Sequence, residues 1–553
     1  MTLASPAAEL PGELHTVIVG SGYGGAVTAA RLAEAGRPVA LLERGKEWPI
    51  GSFPDTGKEL RRSLRKKKNP LGLFELYLCR DIDVLKGCGL GGGSLINASV
   101  AIRPDREAFD DPRWPAGVRR LAASGDLWRY YERAEAMLAA GPHPRALQLT
   151  KVQRVEQRAK ELTDADFGPM PIAVNFTVDG ENAVGVAQKP CIDCGDCITG
   201  CNVSAKNTLY MNYLPYARKR GAKIYTGVEV RHLEPAPGGG WTVHFRRNDD
   251  DGHGEPETLR ARHVILAGGT LGSTEVLLRS AVHGLGVSAR LGAGFSGNGD
   301  FLGLGYNGNH RTDVMGFGNR LDSPRAVVRP GPTIVSGIRY DRSKPLGERI
   351  LVQDFTTFPS GLVNTFRRTL PLLAVTGMDT DSGARDRADE LRRIGLDLVK
   401  WDPDGAVNHS MVYLVMAIDD GGGRMRLDEK DKLRIEWPSL RDDPIFKEIG
   451  DEVLAHARTQ GATYVHLDRW NPWTGMGNLV TAHPLGGCTL GDDADSGVVD
   501  EGGRVFDGEG GTHPGLHVID GAIVPMPLAV NPLLTISALA ERIAEGLARA
   551  PGD

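Results

Sequence analysis

The chain has 553 residues, 41% of them apolar, and a formal net charge of −5. Single cores stop growing at roughly 250–300 residues, so this length excludes a one-core domain and predicts two intimately connected ones. The charge balance excludes the basic footprint that a nucleic-acid partner requires, and it leaves a small-molecule substrate as the expectation.

From the start, residues 1–14 carry neither the basic opening nor the apolar stretch of a secretory signal, and no run of about 18 apolar residues follows. A cytoplasmic protein is expected. His15 to Val19 is a β-branched run that breaks at Gly20-Ser-Gly22-Tyr-Gly-Gly25, and Ala26 to Gly36 continues with helical spacing. Strand, turn and helix in this order predict a dinucleotide site. Gly20 permits the tight turn, Gly22 lets a pyrophosphate approach the backbone, and Gly25 lets helix and strand pack closely. The next strand, Pro38 to Leu42, ends on Glu43, 23 residues after Gly20, where a carboxylate accepts from a ribose diol.

Further along, Lys58 to Lys68 is strongly basic. It is a candidate for contact with anionic lipid holding an apolar substrate, with a solvated face as the plain alternative. Gly87-Cys-Gly-Leu-Gly-Gly-Gly-Ser-Leu-Ile-Asn97 is permissive enough for a flat ring to lie against its backbone. Cys191, Cys194, Cys197 and Cys201 follow the C-x2-C-x2-C-x3-C spacing of bacterial ferredoxins, except that Asn202 stands where proline usually follows. These four offer ligands for a [4Fe-4S] cluster. No second run exists to complete a two-cluster pattern, so reduced cysteines in a packed loop, zinc and disulfides remain alternatives.

In the last part of the chain, His263 to Thr270 is a strand running into a helix, and Gly515 to Gly521 is another strand, closing on Asp520. A carboxylate there suits the ribityl hydroxyls of a flavin chain. A cofactor that needs both ends of the chain is an extended FAD. Removing a hydride from a carbinol carbon leaves a proton to be taken, and His483 and Asn531 are the candidates to bind the hydroxyl. Asn531 precedes Pro532 and a helix with apolar residues at Ile536, Leu539, Ala540, Ile543 and Leu547. The positive N-terminus of that helix suits negative charge on the pyrimidine end of a reduced flavin.

The glycine fingerprint, the Gly87 to Asn97 stretch, the Gly269-Thr-Leu-Gly-Ser-Thr run and His483-Pro-Leu-Gly-Gly together resemble the glucose-methanol-choline oxidoreductase family, in particular its bacterial cholesterol-oxidase-like branch. The resemblance implies that Gly89, Gly92, Ser94 and Asn97 contact the flavin or its phosphates. It also implies that Val230 meets the adenine by its backbone, and that the His and Asn matching His483 and Asn531 hold the substrate hydroxyl and an ordered water. Asp354-Phe-Thr-Thr-Phe-Pro-Ser-Gly361 resembles the segment whose carboxylate moves a steroid double bond, which makes Asp354 the third catalytic candidate, one methylene shorter than the family's Glu. The cysteine loop recurs in that branch and does not identify a substrate.

The expected fold is α/β. A doubly wound, Rossmann-like FAD domain is expected from 1–110, 187–300 and 476–553, and a substrate domain from 111–186 and 301–475, which the resemblance makes an antiparallel sheet with helices. The expected activity is oxidation of an apolar, sterol-like secondary alcohol, with oxygen, or an acceptor protein or quinone, taking the electrons. A lyase or isomerase with structural FAD, and a subunit relaying electrons through a cluster to a partner, are the rivals.

Overall fold

The computed structural model describes residues 2–250, 252–318, 324–340, 342–355, 359–381, 383–466 and 479–549. The N-terminal β-branched run forms strand Glu13–Val19, the glycine turn leads into helix α1 (Tyr23–Glu34), and the chain returns as strand Ala40–Glu43. This unit is the centre of a sheet whose order is Arg504–Phe506, Thr512–Val518, Gly252–Leu266, Glu13–Val19, Ala40–Glu43 and Lys223–Thr226. The last five run parallel. Val17, Ile18 and Leu41 are wholly buried, as expected of parallel strands covered on both faces.

Small residues decide how the helices sit on this sheet. Ala26, Ala29, Ala30 and Ala33 let α1 lie close to the C-terminal helix, and the pair is tied by Arg31, whose Nε and Nη2 donate to Glu541 at 2.6 and 2.8 Å. Helix α2 (Gly269–Val282) follows strand Gly252–Leu266, and helix α3 (Leu533–Arg549) ends the described chain. Two further strands, Val228–Pro235 and Trp241–Asp249, form an antiparallel meander with the first half of Gly252–Leu266.

A second sheet is antiparallel, in the order Thr463–His466, Phe301–Tyr306, Met411–Met416, Leu351–Phe355, Ser336–Tyr340 and Ala165–Pro169. Every residue of Met411–Met416 is buried. Its odd-numbered side chains, Met411, Tyr413 and Val415, pack with Ile445, Ile449 and Val453 of helix Pro444–Thr459, while Leu414 and Met416 join the core built around the parallel sheet. This central strand therefore separates an outer helical layer from an inner face turned to the parallel sheet. The boundary expected at 475/476 lies outside the described residues. Among the described residues, no helix is long and apolar enough to cross a membrane.

Candidate active site

A cavity of about 710 Å³ opens where the parallel strands end and the inner face of the antiparallel sheet begins. Ligands of open α/β sheets bind outside the carboxyl ends of such strands. Gly20, Gly22, Glu43, Gly92, Asn97, Val230, Asp520 and Gly521 line it. Gly22 faces open space, so a Cβ there would project into the cavity rather than into protein. Gly25 lies behind the turn, where a Cβ would stand 2.0 Å from the Gly20 carbonyl oxygen. The tightest position is one the motif does not mark: a Cβ on Gly24 would fall 1.7 Å from the Ile519 carbonyl oxygen.

The polar groups around this cradle are only partly committed to one another. Glu43 Oε2 accepts from the Ser21 amide at 3.2 Å and from Ser21 Oγ at 2.5 Å, and Oε1 accepts from the Gly45 amide at 2.9 Å. Asp520 stands at the N-terminus of α2, where its carboxylate accepts from the Gly269 amide, Ser273 Oγ and the Ala522 amide. Burial pushes its pKa up, against the pull of those three donors. Asn97 donates to Tyr23 Oη at 2.8 Å. Gly89 and Ser94 do not line the cavity: Gly89 packs on Trp48, and Ser94 Oγ donates to Gly91 O at 2.6 Å and accepts from the Leu209 amide. They shape the loop that carries Gly92.

Lys86 supplies a test of whether these residues fit a dinucleotide. Its ammonium is buried, lines the cavity beside the first turn of α2, and has no hydrogen-bond partner. Burial, and then Arg44, push its pKa down. Glu75 and Glu275 offset part of its charge, and an anionic group of a bound dinucleotide would supply the hydrogen bonds that it lacks. Arg44 lines the cavity near Glu43 and pairs with Glu75, and Arg65 bridges Glu75 at 2.9 Å and Glu229 at 3.4 Å.

At the other end of the cavity, four polar side chains form one line. His483 Nδ1 is 2.8 Å from Asp300 Oδ1, His483 Nε2 is 3.3 Å from Asn531 Nδ2, and Gln353 Nε2 donates to Asn531 Oδ1 at 2.8 Å. The hydrogen positions follow from the partners. Asp300 only accepts, so Nδ1 carries the proton; Gln353 occupies the Asn531 oxygen, so the Asn531 amide group points at an unprotonated Nε2. Asp300 is held in turn by Thr481 Oγ1 and the Ala482 amide, each at 2.9 Å from Oδ2. Asn531, Pro532, Leu533 and Ile536 line the cavity, so the first turn of α3 faces it. Leu302, Phe355, Pro359, Leu362 and Leu414 complete an apolar wall beside the line.

Sequence reasoning singled out His483 and Asn531 but missed Asp300, Gln353 and Lys86. Asp300 sits in Gly297-Asn-Gly-Asp300, which reads as an ordinary turn before a strand. Asp354 is placed elsewhere. It pairs across the sheet with Tyr413, on the layer of the outer helices, whereas Gln353 pairs with Leu414, on the cavity side. Side chains alternate along a strand, so Gln353, not Asp354, reaches Asn531. Asp354 is fully buried, accepts from the amides of Val335 and Ser336, and forms an ion pair with Lys151 at 2.9 Å. Residues 356–358 of its segment lie outside the described residues.

All four cysteines of the ferredoxin-like run are free thiols. Among the described residues, the groups of three or more potential ligands within 4.8 Å of one another are His232, Glu234 and His244, and Asp379, Asp381 and Asp386, so the run does not form such a group. Asn202 brackets Phe53 through that residue's amide and carbonyl, each at 3.0 Å, Asp196 accepts from the Ser360 amide at 2.7 Å, and Asp193 lies 3.0 Å from His143 Nε2. The loop thus ties three distant segments together, and Ile198 and Thr199 line the cavity.

Family models described as GMC oxidoreductase match residues 17–296 and 423–540. The chain is 29% identical to a cholesterol oxidase of Mycobacterium tuberculosis, over 96% of this chain and 90% of that protein. It is 27% identical to a cholesterol oxidase of Acinetobacter baumannii, over 95% and 93%. Among solved structures, pyridoxine 4-oxidase from Mesorbium loti shares the fold with a TM-score of 0.60 at 16% identity, covering 98% of this chain and 100% of that one.

Proposed function

The chain belongs to the GMC oxidoreductase family and is an FAD-dependent oxidoreductase acting on alcohol donors; from that premise we propose that it oxidises an apolar secondary alcohol of sterol type and that oxygen is the electron acceptor. FAD, when bound, supplies the hydride acceptor. In this reading the glycine cradle and Lys86 would hold the pyrophosphate, Glu43 the ribose, and the first turn of α3 the flavin ring.

His483 Nε2 receives the hydroxyl proton, because donation of Nδ1–H to Asp300 leaves Nε2 unprotonated. Asn531 Nδ2 donates to the same substrate oxygen, where negative charge grows as the hydride leaves, and Gln353 holds the amide in that orientation. Leu302, Phe355, Leu362 and Leu414 exclude water and favour an apolar skeleton. Leu60, Arg61 and Leu64 of the basic run also line the cavity, and we assign that side to a lipid surface that carries the substrate. With Asp354 paired to Lys151, the reaction ends at the ketone and the double bond stays in place.

The observation that carries this reading is the line Asp300, His483, Asn531, Gln353, set between a dinucleotide cradle and an apolar wall. The test is anaerobic mixing of the flavoprotein with 3-hydroxysterols, long-chain alcohols and small polar alcohols, with the flavin absorbance followed and the product identified. Bleaching by a sterol, giving the unrearranged ketone, supports the proposal. Bleaching by small polar alcohols and not by sterols refutes the substrate class.

A further inference from the structure

We propose that His232, Glu234, His244 and His283 form a site for one first-row divalent metal ion, Zn²⁺ by its donor set, on the meander beside the parallel sheet. The register of that meander places His232 directly opposite His244, and Glu234 two residues further on shares their face. His283 follows the last residue of α2 and comes over the same face. The rings form a stack, His232 with His244 at 4.0 Å and 13°, and His232 with His283 at 3.9 Å and 6°. Imidazole lone pairs lie in the ring planes, so binding one ion turns these rings out of their stack.

The distances are those of a ligand set. Glu234 carboxylate oxygens lie 3.4 Å from His232 Nε2, 3.3 Å from His244 Nε2 and 3.7 Å from His283 Nδ1. Hydrogen bonds of this type cluster at about 2.7–3.2 Å, and His244 Nε2 is buried with no hydrogen-bond partner. A tetrahedral ion with bonds of about 2.0–2.1 Å has ligand–ligand edges of about 3.3–3.4 Å. The ligand atoms of His232, Glu234 and His244 all lie within 4.8 Å of one another. His283 Nδ1, 3.7 Å from a Glu234 oxygen, is near enough to supply a fourth ligand once its ring turns.

A surface depression of about 360 Å³, lined by the three histidines, gives access. Of the nearby cations, Arg231 and Arg279 share Asp431, at 2.7 and 2.9 Å, and pair further with Glu229 and Glu275. Three imidazoles and one carboxylate suit Zn²⁺ and accept Co²⁺. The ion would clamp the C-terminal end of α2 to the meander, while the opposite end of that helix faces the main cavity. None of the four ligands lines that cavity.

The test uses untagged holoenzyme dialysed against a chelator, titrated with Zn²⁺ by calorimetry and with Co²⁺ by visible absorption beyond the flavin bands. Expected are one equivalent bound, the spectrum of four-coordinate Co²⁺, its displacement by Zn²⁺, and a higher melting temperature with metal. His244→Gln should abolish binding. His283→Ala, at an exposed position that does not threaten folding, should weaken it at least about ten-fold, the scale on which even second-sphere partners act. Both should keep FAD and its rate of reduction. Absence of binding to the wild-type protein, or unchanged binding in His283→Ala, overturns the site.

Discussion

Replacing Asp300 by Asn should leave the protein folded and nearly stop the reductive half-reaction. Three donors converge on the Asp300 carboxylate: Thr481 Oγ1 and the Ala482 amide at 2.9 Å, and His483 Nδ1 at 2.8 Å. Asn has one acceptor oxygen. If that oxygen keeps the two donors from 481 and 482, its amide group meets His483, and the ring answers by moving its proton to Nε2. Nε2 then no longer takes the hydroxyl proton, and it also faces the Asn531 amide as a second donor. Reaching the reactive tautomer costs a charge-assisted hydrogen bond and leaves buried donors opposed, about 3–6 kcal/mol together. At about 1.4 kcal/mol per decade this slows flavin reduction about 10²- to 10⁴-fold. The assay is anaerobic stopped-flow reduction at saturating alcohol, with FAD content and thermal melting as controls for folding. The loss should appear in the limiting rate and hardly in the apparent substrate affinity. A variant with full FAD that is reduced within three-fold of the wild-type rate would falsify the tautomer argument.

Gln353→Leu should slow flavin reduction about three- to ten-fold, the value of one neutral hydrogen bond. It should not lower the melting temperature, because it also removes the buried, unpartnered Gln353 Oε1. Lys86→Met should weaken FAD retention while leaving the flavin-free protein at least as stable at neutral pH. In that flavin-free protein, burial and Arg44 hold the Lys86 pKa below its ordinary value, so the unfolded chain binds the extra proton. Wild-type stability therefore rises with pH from that depressed value towards the ordinary one near about 10.4, and denaturant titrations of the two proteins across alkaline pH should converge. Gly24→Ala should cost at least about 1–3 kcal/mol and much of the bound FAD, since its Cβ meets backbone at Ile519 rather than a movable side chain. An unchanged melting curve would remove that contact from the argument.

The first strand-turn-helix-strand unit of this protein was legible because its instructions are local. Gly20, Gly22, Gly25 and Glu43 lie within one strand-turn-helix-strand unit, where spacing along the chain translates directly into position. His483 and Asn531 were legible as residue types within glycine- and proline-punctuated loops at the end of the chain. The residues that orient them were not, since Asp300 and Gln353 meet them across 183 and 178 positions. No local pattern encodes such a meeting. The clearest case is the choice between Gln353 and Asp354. A strand with one wet face would have shown which parity points inward, but Leu351 to Asp354 are all buried. The sequence alone determined that a glycine-rich strand-turn-helix unit, a histidine and an asparagine belong to this chain. Tertiary structure decided which neighbour of a buried strand faces them, because that depends on the pairing of Gln353 with Leu414 and on which layer covers each side.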